Sequence, residues 1–170
     1  MKKTIITLLL FLTVFISNLG GVHLFSEAEK EHMVRGMEQK IRIDDIRGSE
    51  FSPQLLLEYL SLTGVLNPEV AYSQAVLETG WFKHIRATDY NNYFGMKEAK
   101  TRDHTQLGVW KNHATYEHWT LSADDYKLWQ EYWCGEGFDQ TDYLQFLNNV
   151  GYATAINYTK VLRKIINSET

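Results

Sequence analysis

One glutamate, Glu78, stands at the tail of the apolar run Ala75-Val76-Leu77 and directly before Thr79-Gly80-Trp81. The preceding residues predict a helix that ends near Gly80, which puts Glu78 where the helix dipole disfavours a negative charge. Apolar neighbours penalise the carboxylate form as well and raise its pKa. A carboxyl group still protonated near neutral pH can give its proton to a glycosidic oxygen. Trp81 is suited to supply an apolar wall and a stacking face for a sugar ring, and Gln74, four residues before Glu78, shares its helix face. A solvated helix residue is the plain alternative, and Glu78 taken alone would not displace it. Close behind comes Asn91-Asn92-Tyr93-Phe94-Gly95. This run reads as a turn entering a strand, because Asn supports turns and Gly permits close backbone approach.

Other chemistries lack their residue patterns. His113 and His118 are five apart, without the His-Glu-x-x-His helix of a zinc peptidase. There is no Gly-rich phosphate loop and no Gly-x-Ser-x-Gly elbow, so neither a cofactor nor a metal is expected. Cys134 is the only cysteine, which rules out an internal disulfide. It reads as a buried small hydrophobe rather than a nucleophile. Lys and Arg number 17 against 21 Asp and Glu, a net charge of −4. That balance argues against a nucleic-acid partner, which needs a basic face. All five Trp lie between Trp81 and Trp133, and all ten Tyr lie at or after Tyr59. Such clustering suits a carbohydrate or peptide cleft as well as a core.

The elements that must position these residues follow from patterning. Met1-Lys2-Lys3, the apolar TIITLLLFLTVFI and then SNLGG read as an export signal. The uncharged stretch from Thr4 to Phe25 is long enough to span a bilayer if uncut. No Cys follows it, which excludes a lipoprotein anchor. Residues 1–25 are therefore expected to be a signal peptide or N-terminal anchor, 26–50 a charged linker or exposed helix, and 51–170 the compact domain. Ser52-Pro53 and Asn67-Pro68 each pair an N-cap residue with proline at the first helical position. Leu55, Leu56, Tyr59 and Leu60 form the stripe of the first of these helices. Residues 91–117 are β-prone and predict a hairpin or small sheet. Helices return over about 122–132, over 142–150 with Thr141 as cap, and over about 157–167. The expected fold class is α+β, mostly α, with a small β-hairpin lobe.

Four ordered segments also carry a family resemblance. Gln74-Ala75, Leu77-Glu78-Thr79-Gly80-Trp81 and Asn91-Asn92-Tyr93-Phe94-Gly95-Met96-Lys97 resemble the glucosaminidase-type domain of glycoside hydrolase family 73. Tyr116, Trp119, Ser122, Asp125 and Tyr126 match a downstream segment, and Tyr152, Ala153, Thr154 and Tyr158 a terminal one. The resemblance spans about residues 51–167. It implies a lysozyme-like fold and cleavage of the β-1,4 bond on the reducing side of N-acetylglucosamine in peptidoglycan. It makes Glu78 the catalytic acid and places Tyr152 in the active site. Gln74, Trp81, Asn92, Phe94, Gly95 and Tyr116 are the expected substrate-binding residues. The chain departs from the family where Ala155-Ile156 replaces Asp-Pro. A second carboxylate is not assigned; Glu98, Asp103 and Glu117 are the acidic residues of the short β lobe. The reading is an exported, monomeric hydrolase whose partner is the glycan strand and whose only membrane contact is an uncleaved leader. Its rivals are a lytic transglycosylase using the same Glu and a non-catalytic glycan-binding module.

Overall fold

The structure is a computed structural model that describes residues 25–135, 138–153, 155 and 157–169. The leader residues before Phe25, and Thr154 and Ile156 of the terminal segment, lie outside these. Two compact units divide the chain, Met1–Asp44 and Asp45–Thr170. In the first, the described residues belong mainly to α1 (Glu27–Arg47), whose last three residues fall in the second unit. Lys30 pairs with Glu27 and Arg35 with Glu31 along α1, the one-turn spacing at which opposite charges meet. Among the described residues no helix is long and apolar enough to cross a membrane.

The second unit holds α2 (Pro53–Leu62), α3 (Pro68–Glu78), the short α4 (Ile85–Thr88), β1 (Gly108–Trp110), β2 (His113–Thr115), α5 (Trp119–Cys134), a 3₁₀ turn (Gln140–Asp142), α6 (Tyr143–Asn149) and α7 (Tyr158–Glu169). This is the expected mostly helical α+β fold with a β-hairpin lobe. Ser52 caps α2, its hydroxyl accepting from the Leu55 amide. Asn67 does not repeat that device: it adopts a left-handed backbone and makes no side-chain cap. Asp142 rather than Thr141 caps α6, because the 3₁₀ turn takes up Thr141 and brings the Asp142 carboxylate to the Gln145 amide. α5 begins three residues before the expected start, since His118 offers its ring nitrogen to the Thr120 amide.

β1 and β2 pair antiparallel with Val109 opposite Ala114. Lys111 and Asn112 both have positive φ, the geometry that lets a two-residue turn follow the strand twist. A single bridge from Lys97 to His113 adds the 96–97 segment to the edge of β2. The lobe is locked onto α5 by a buried ion pair. Arg102 forks onto Asp125 at 2.7 and 3.1 Å, and the Tyr116 hydroxyl donates to Asp125 at 2.6 Å. Below the lobe, α3 packs against α2 and α7, and α7 against α6. Tyr143, Leu147, Tyr158 and Leu162 are the buried centre of that side of the core.

Candidate active site

Glu78 is the last residue of α3, as expected. Its side chain is 22% exposed, in an open cleft of about 1090 Å³. Burial pushes its pKa above the ordinary carboxylate value; Arg86, a hydrogen bond from Tyr158, and Lys97 act in the opposite sense without cancelling it. One carboxylate oxygen lies against Gly95, where a Cβ would sit 2.7 Å from it. Gly95 is also left-handed, at φ +65°. Only glycine meets both conditions without strain.

Asn92 makes that approach possible. It is fully buried; its Nδ2 donates to the carbonyls of Met96 and Ala114, and its Oδ1 accepts from the Met96 amide. These bonds close the Asn92–Met96 turn and tie it to β2. Tyr152 reaches the same turn from the other end of the chain, its hydroxyl donating to the Phe94 carbonyl at 2.7 Å. Burial holds its phenol well above the ordinary value, so it stays protonated.

A cationic cluster borders the acid. Arg86 donates to the Glu78 carbonyl at 2.7 Å, satisfying a terminal acceptor of α3, and stands 3.9 Å from the carboxylate. Its other terminal nitrogen meets His113 Nε2 at 3.0 Å, and Lys97 meets the same nitrogen at 2.9 Å. His113 Nδ1 contacts the Lys111 carbonyl. A carbonyl only accepts, so Nδ1 carries the proton and Nε2 receives the cations. Burial lowers the His113 pKa; the bond to the Lys111 carbonyl opposes this, and the nearby Lys97 and Arg86 charges add to it. Aromatic side chains line other parts of the cleft: Trp129, Tyr132 and Trp133 from α5, with Tyr152. Among the described residues no three His, Cys, Asp or Glu side chains gather as a metal-ligand set.

The glucosaminidase family model, described as mannosyl-glycoprotein endo-β-N-acetylglucosaminidase, matches residues 54–170. The chain belongs to the glucosaminidase family. It is a glycoside hydrolase with a mostly helical α+β fold. No curated protein is significantly similar to it in sequence. Among solved structures, a chain of a type VI secretion system effector–immunity complex from Pseudomonas protegens is 17% identical, with a TM-score of 0.53 over 78% of this chain and 91% of that one. The catalytic domain of the autolysin Auto from Listeria monocytogenes is 19% identical, with a TM-score of 0.45 over 85% and 95%.

Within this glucosaminidase domain, Glu78, Phe94, Gly95 and Tyr152 line one cleft. The Phe94 ring itself is buried and stacked on Tyr126, so it is not an open sugar platform. Four expected substrate contacts take other places. Gln74 is fully buried and bonded to Tyr126 and Tyr158. Asn92 is spent on the turn. Tyr116 is buried against Asp125. Trp81 is exposed and does not line the cleft. Gly80, Trp81 and Phe82 are all left-handed, and this reversal packs Phe82, not Trp81, against Phe51, Tyr72 and Tyr93. Cys134 is partly buried beside Tyr143 and Leu147, and burial raises its thiol pKa.

Arg86, Tyr132 and Trp133 escaped the sequence reading. Adjacent aromatics at a helix end cannot both face the core, and that signal was available for Tyr132-Trp133. Nothing in the sequence marked Arg86. Of the acidic residues of the β lobe, Glu98 lines the cleft and pairs with Lys100 at 3.6 Å. Asp103 and Glu117 are exposed elsewhere.

Proposed function

We propose that the chain is an exported peptidoglycan hydrolase of the cell envelope, cleaving the β-1,4 bond on the reducing side of N-acetylglucosamine with Glu78 as general acid. The observation that carries this reading is the Glu78 carboxyl group, buried enough to hold its proton above the ordinary range yet open to a cleft with aromatic lining. A neutral carboxyl there protonates the leaving oxygen as the bond to C1 breaks. The Tyr152 hydroxyl donates its hydrogen bond to the Phe94 carbonyl, which leaves its oxygen lone pairs to face positive charge developing on the sugar. Glu98 takes the role of base for the attacking water, since it alone of the three β-lobe carboxylates considered lines the cleft. Tyr132 and Trp133 offer stacking faces for sugar rings.

The charge of the cleft supports peptidoglycan over a neutral glycan. The protein is acidic overall, yet Arg86, Lys97 and Lys100 all line this cleft. Cations concentrated in a cleft draw in acidic substrates, and peptide-bearing glycan strands carry carboxylates.

The test is digestion of purified peptidoglycan by the full-length chain and by Glu78→Gln, with borohydride reduction and mass spectrometry of the products. Reduced N-acetylglucosamine ends from the wild type alone are expected. Reduced N-acetylmuramic acid ends would move the bond, and anhydro ends would make the chain a transglycosylase. Undiminished release by Glu78→Gln would remove Glu78 from the mechanism.

A further inference from the structure

The two cations beside Glu78 share one acceptor. Lys97 and His113 are bridge partners at the edge of the sheet, so their side chains stand on the same face. Lys97 Nζ lies 2.9 Å from His113 Nε2, and a terminal nitrogen of Arg86, arriving from α4, lies 3.0 Å from it. Ammonium and guanidinium groups only donate, so Nε2 is a bare acceptor whose one lone pair serves both. Nδ1 carries the proton of the ring and donates to the Lys111 carbonyl at 3.0 Å. The ring is therefore neutral in this arrangement. Burial, the main cause, holds its pKa below the ordinary value, which is the direction the geometry requires. Protonating Nε2 would set an N–H against two cations and break both contacts.

Arg86 is held at both ends. One terminal nitrogen donates to the Glu78 carbonyl at 2.7 Å and the other to His113. Its Nε is buried without a hydrogen-bond partner among the described residues. The Glu78 carboxylate stands 3.9 Å away, too far for a hydrogen bond. Arginine beside a carboxylate ordinarily closes into a forked, charge-assisted pair, which is the stronger arrangement and would engage more of its donors. The grip on two other acceptors opposes that closure. The Glu78 carbonyl alone does not fix the group, because a guanidinium bound through one nitrogen still turns about that bond. The second grip, on His113, stops the turn.

We propose that His113 is a positioning residue for the reaction: its neutral Nε2 anchors Arg86 where the guanidinium does not close on the Glu78 carboxyl group, so that the acid keeps its proton for the leaving oxygen. The role rests on Glu78 being the general acid. Closure would favour the carboxylate, since an opposite charge in contact stabilises the ionised form. The other titratable groups around His113 are Lys97 and His84, whose Nδ1 accepts from the Arg86 amide at 3.1 Å. Lys111 gives the ring its carbonyl and turns its own ammonium onto the Trp110 ring. Around Glu78, besides Arg86, stand Lys97 and the phenols of Tyr158 and Tyr152.

The experiment is a ¹³C NMR titration of the Glu78 carboxyl group in the full-length chain, comparing the wild type with His113→Phe, His113→Gln, Arg86→Gln and the pair His113→Phe with Arg86→Gln. His113→Phe keeps a ring and removes the acceptor. The Glu78 midpoint is expected to move to lower pH, and the alkaline limb of kcat/KM on peptidoglycan to move with it. His113→Gln offers a side-chain oxygen at similar reach and is expected to keep the wild-type midpoint. With Arg86→Gln already in place, His113→Phe is expected to lose most of its effect. The proposal is overturned by a wild-type midpoint in His113→Phe, even with activity reduced. It is equally overturned by a His113→Gln midpoint as low as that of His113→Phe, or by an undiminished shift in the absence of Arg86. Should His113→Phe fail to fold, the ¹⁵N shifts of the wild-type ring serve. A bare Nε2 and a protonated Nδ1 are expected across the active pH range, and a proton on Nε2 there would sink the idea. Midpoints and ring shifts are read without turnover, so loss of the general-acid reading through Glu78→Gln is a separate result.

Discussion

Glu78 and Gly95 form one unit, and each constrains the other. Replacing Glu78 with Gln keeps the shape and removes the proton, so hydrolysis is expected to fall roughly 10²–10⁴-fold, the usual worth of general acid catalysis, as read by release of reducing ends. Stability should move the other way. The native pKa of Glu78 is raised by burial, so its favourable contribution is fully present below the unfolded value of 4.5 and is lost as pH rises through the native value. Glu78→Gln carries no such loss. Thermal unfolding is expected to show the variant gaining on the wild type as pH climbs and the difference closing in acid. Catalysis by a neutral carboxyl group has the same sign: kcat/KM falls as pH rises through the raised pKa, and its alkaline limb lies above 4.5. Gly95→Ala tests the close approach directly. A methyl group 2.7 Å from the carboxylate oxygen must push it aside, and displacement of a reacting group by about 1 Å can cost roughly 10²-fold in rate.

At the scale of elements, the β lobe is useful only if it stays docked on the helices. The Arg102–Asp125 pair does this, with side chains 9% and 0% exposed. Asp125→Ala leaves a buried guanidinium and the Tyr116 hydroxyl without their acceptor. Breaking such a pair from one side costs about 3–5 kcal/mol, and urea unfolding is expected to report a loss of that order. Asn92 ties the Asn92–Met96 turn to β2 in the same way. Tyr116 and Asn92 are spent on these contacts, and neither lines the cleft. α3 shows the same division, with Glu78 facing the cleft from its last turn and Gln74 buried one turn earlier.

Over the whole molecule, an acidic protein presents a cleft bordered by cations. Lys97→Gln is expected to raise KM on peptidoglycan more than on neutral chitin oligosaccharides, and added salt to narrow that difference by screening. Equal effects on both substrates would remove the electrostatic argument for an acidic glycan. Much of this protein was legible before folding. Helix-start prolines, the stripe through Leu56, Tyr59 and Leu60, the Glu78-Thr79-Gly80 helix end and the β-prone 91–117 stretch are local patterns, set by backbone preference and hydrophobic period. They delivered the fold class and the place of Glu78 at the end of its helix. Direction in space was not legible. Three consecutive left-handed residues turned Trp81 out and Phe82 in, and no spacing rule announces that reversal. Arg86, Glu98 and Tyr158 come to one cleft from three separate segments, and the burial and charge felt by Glu78 arise from such convergence. Local chemistry is written residue by residue, whereas desolvation and electrostatic coupling arise only between groups that tertiary packing brings together.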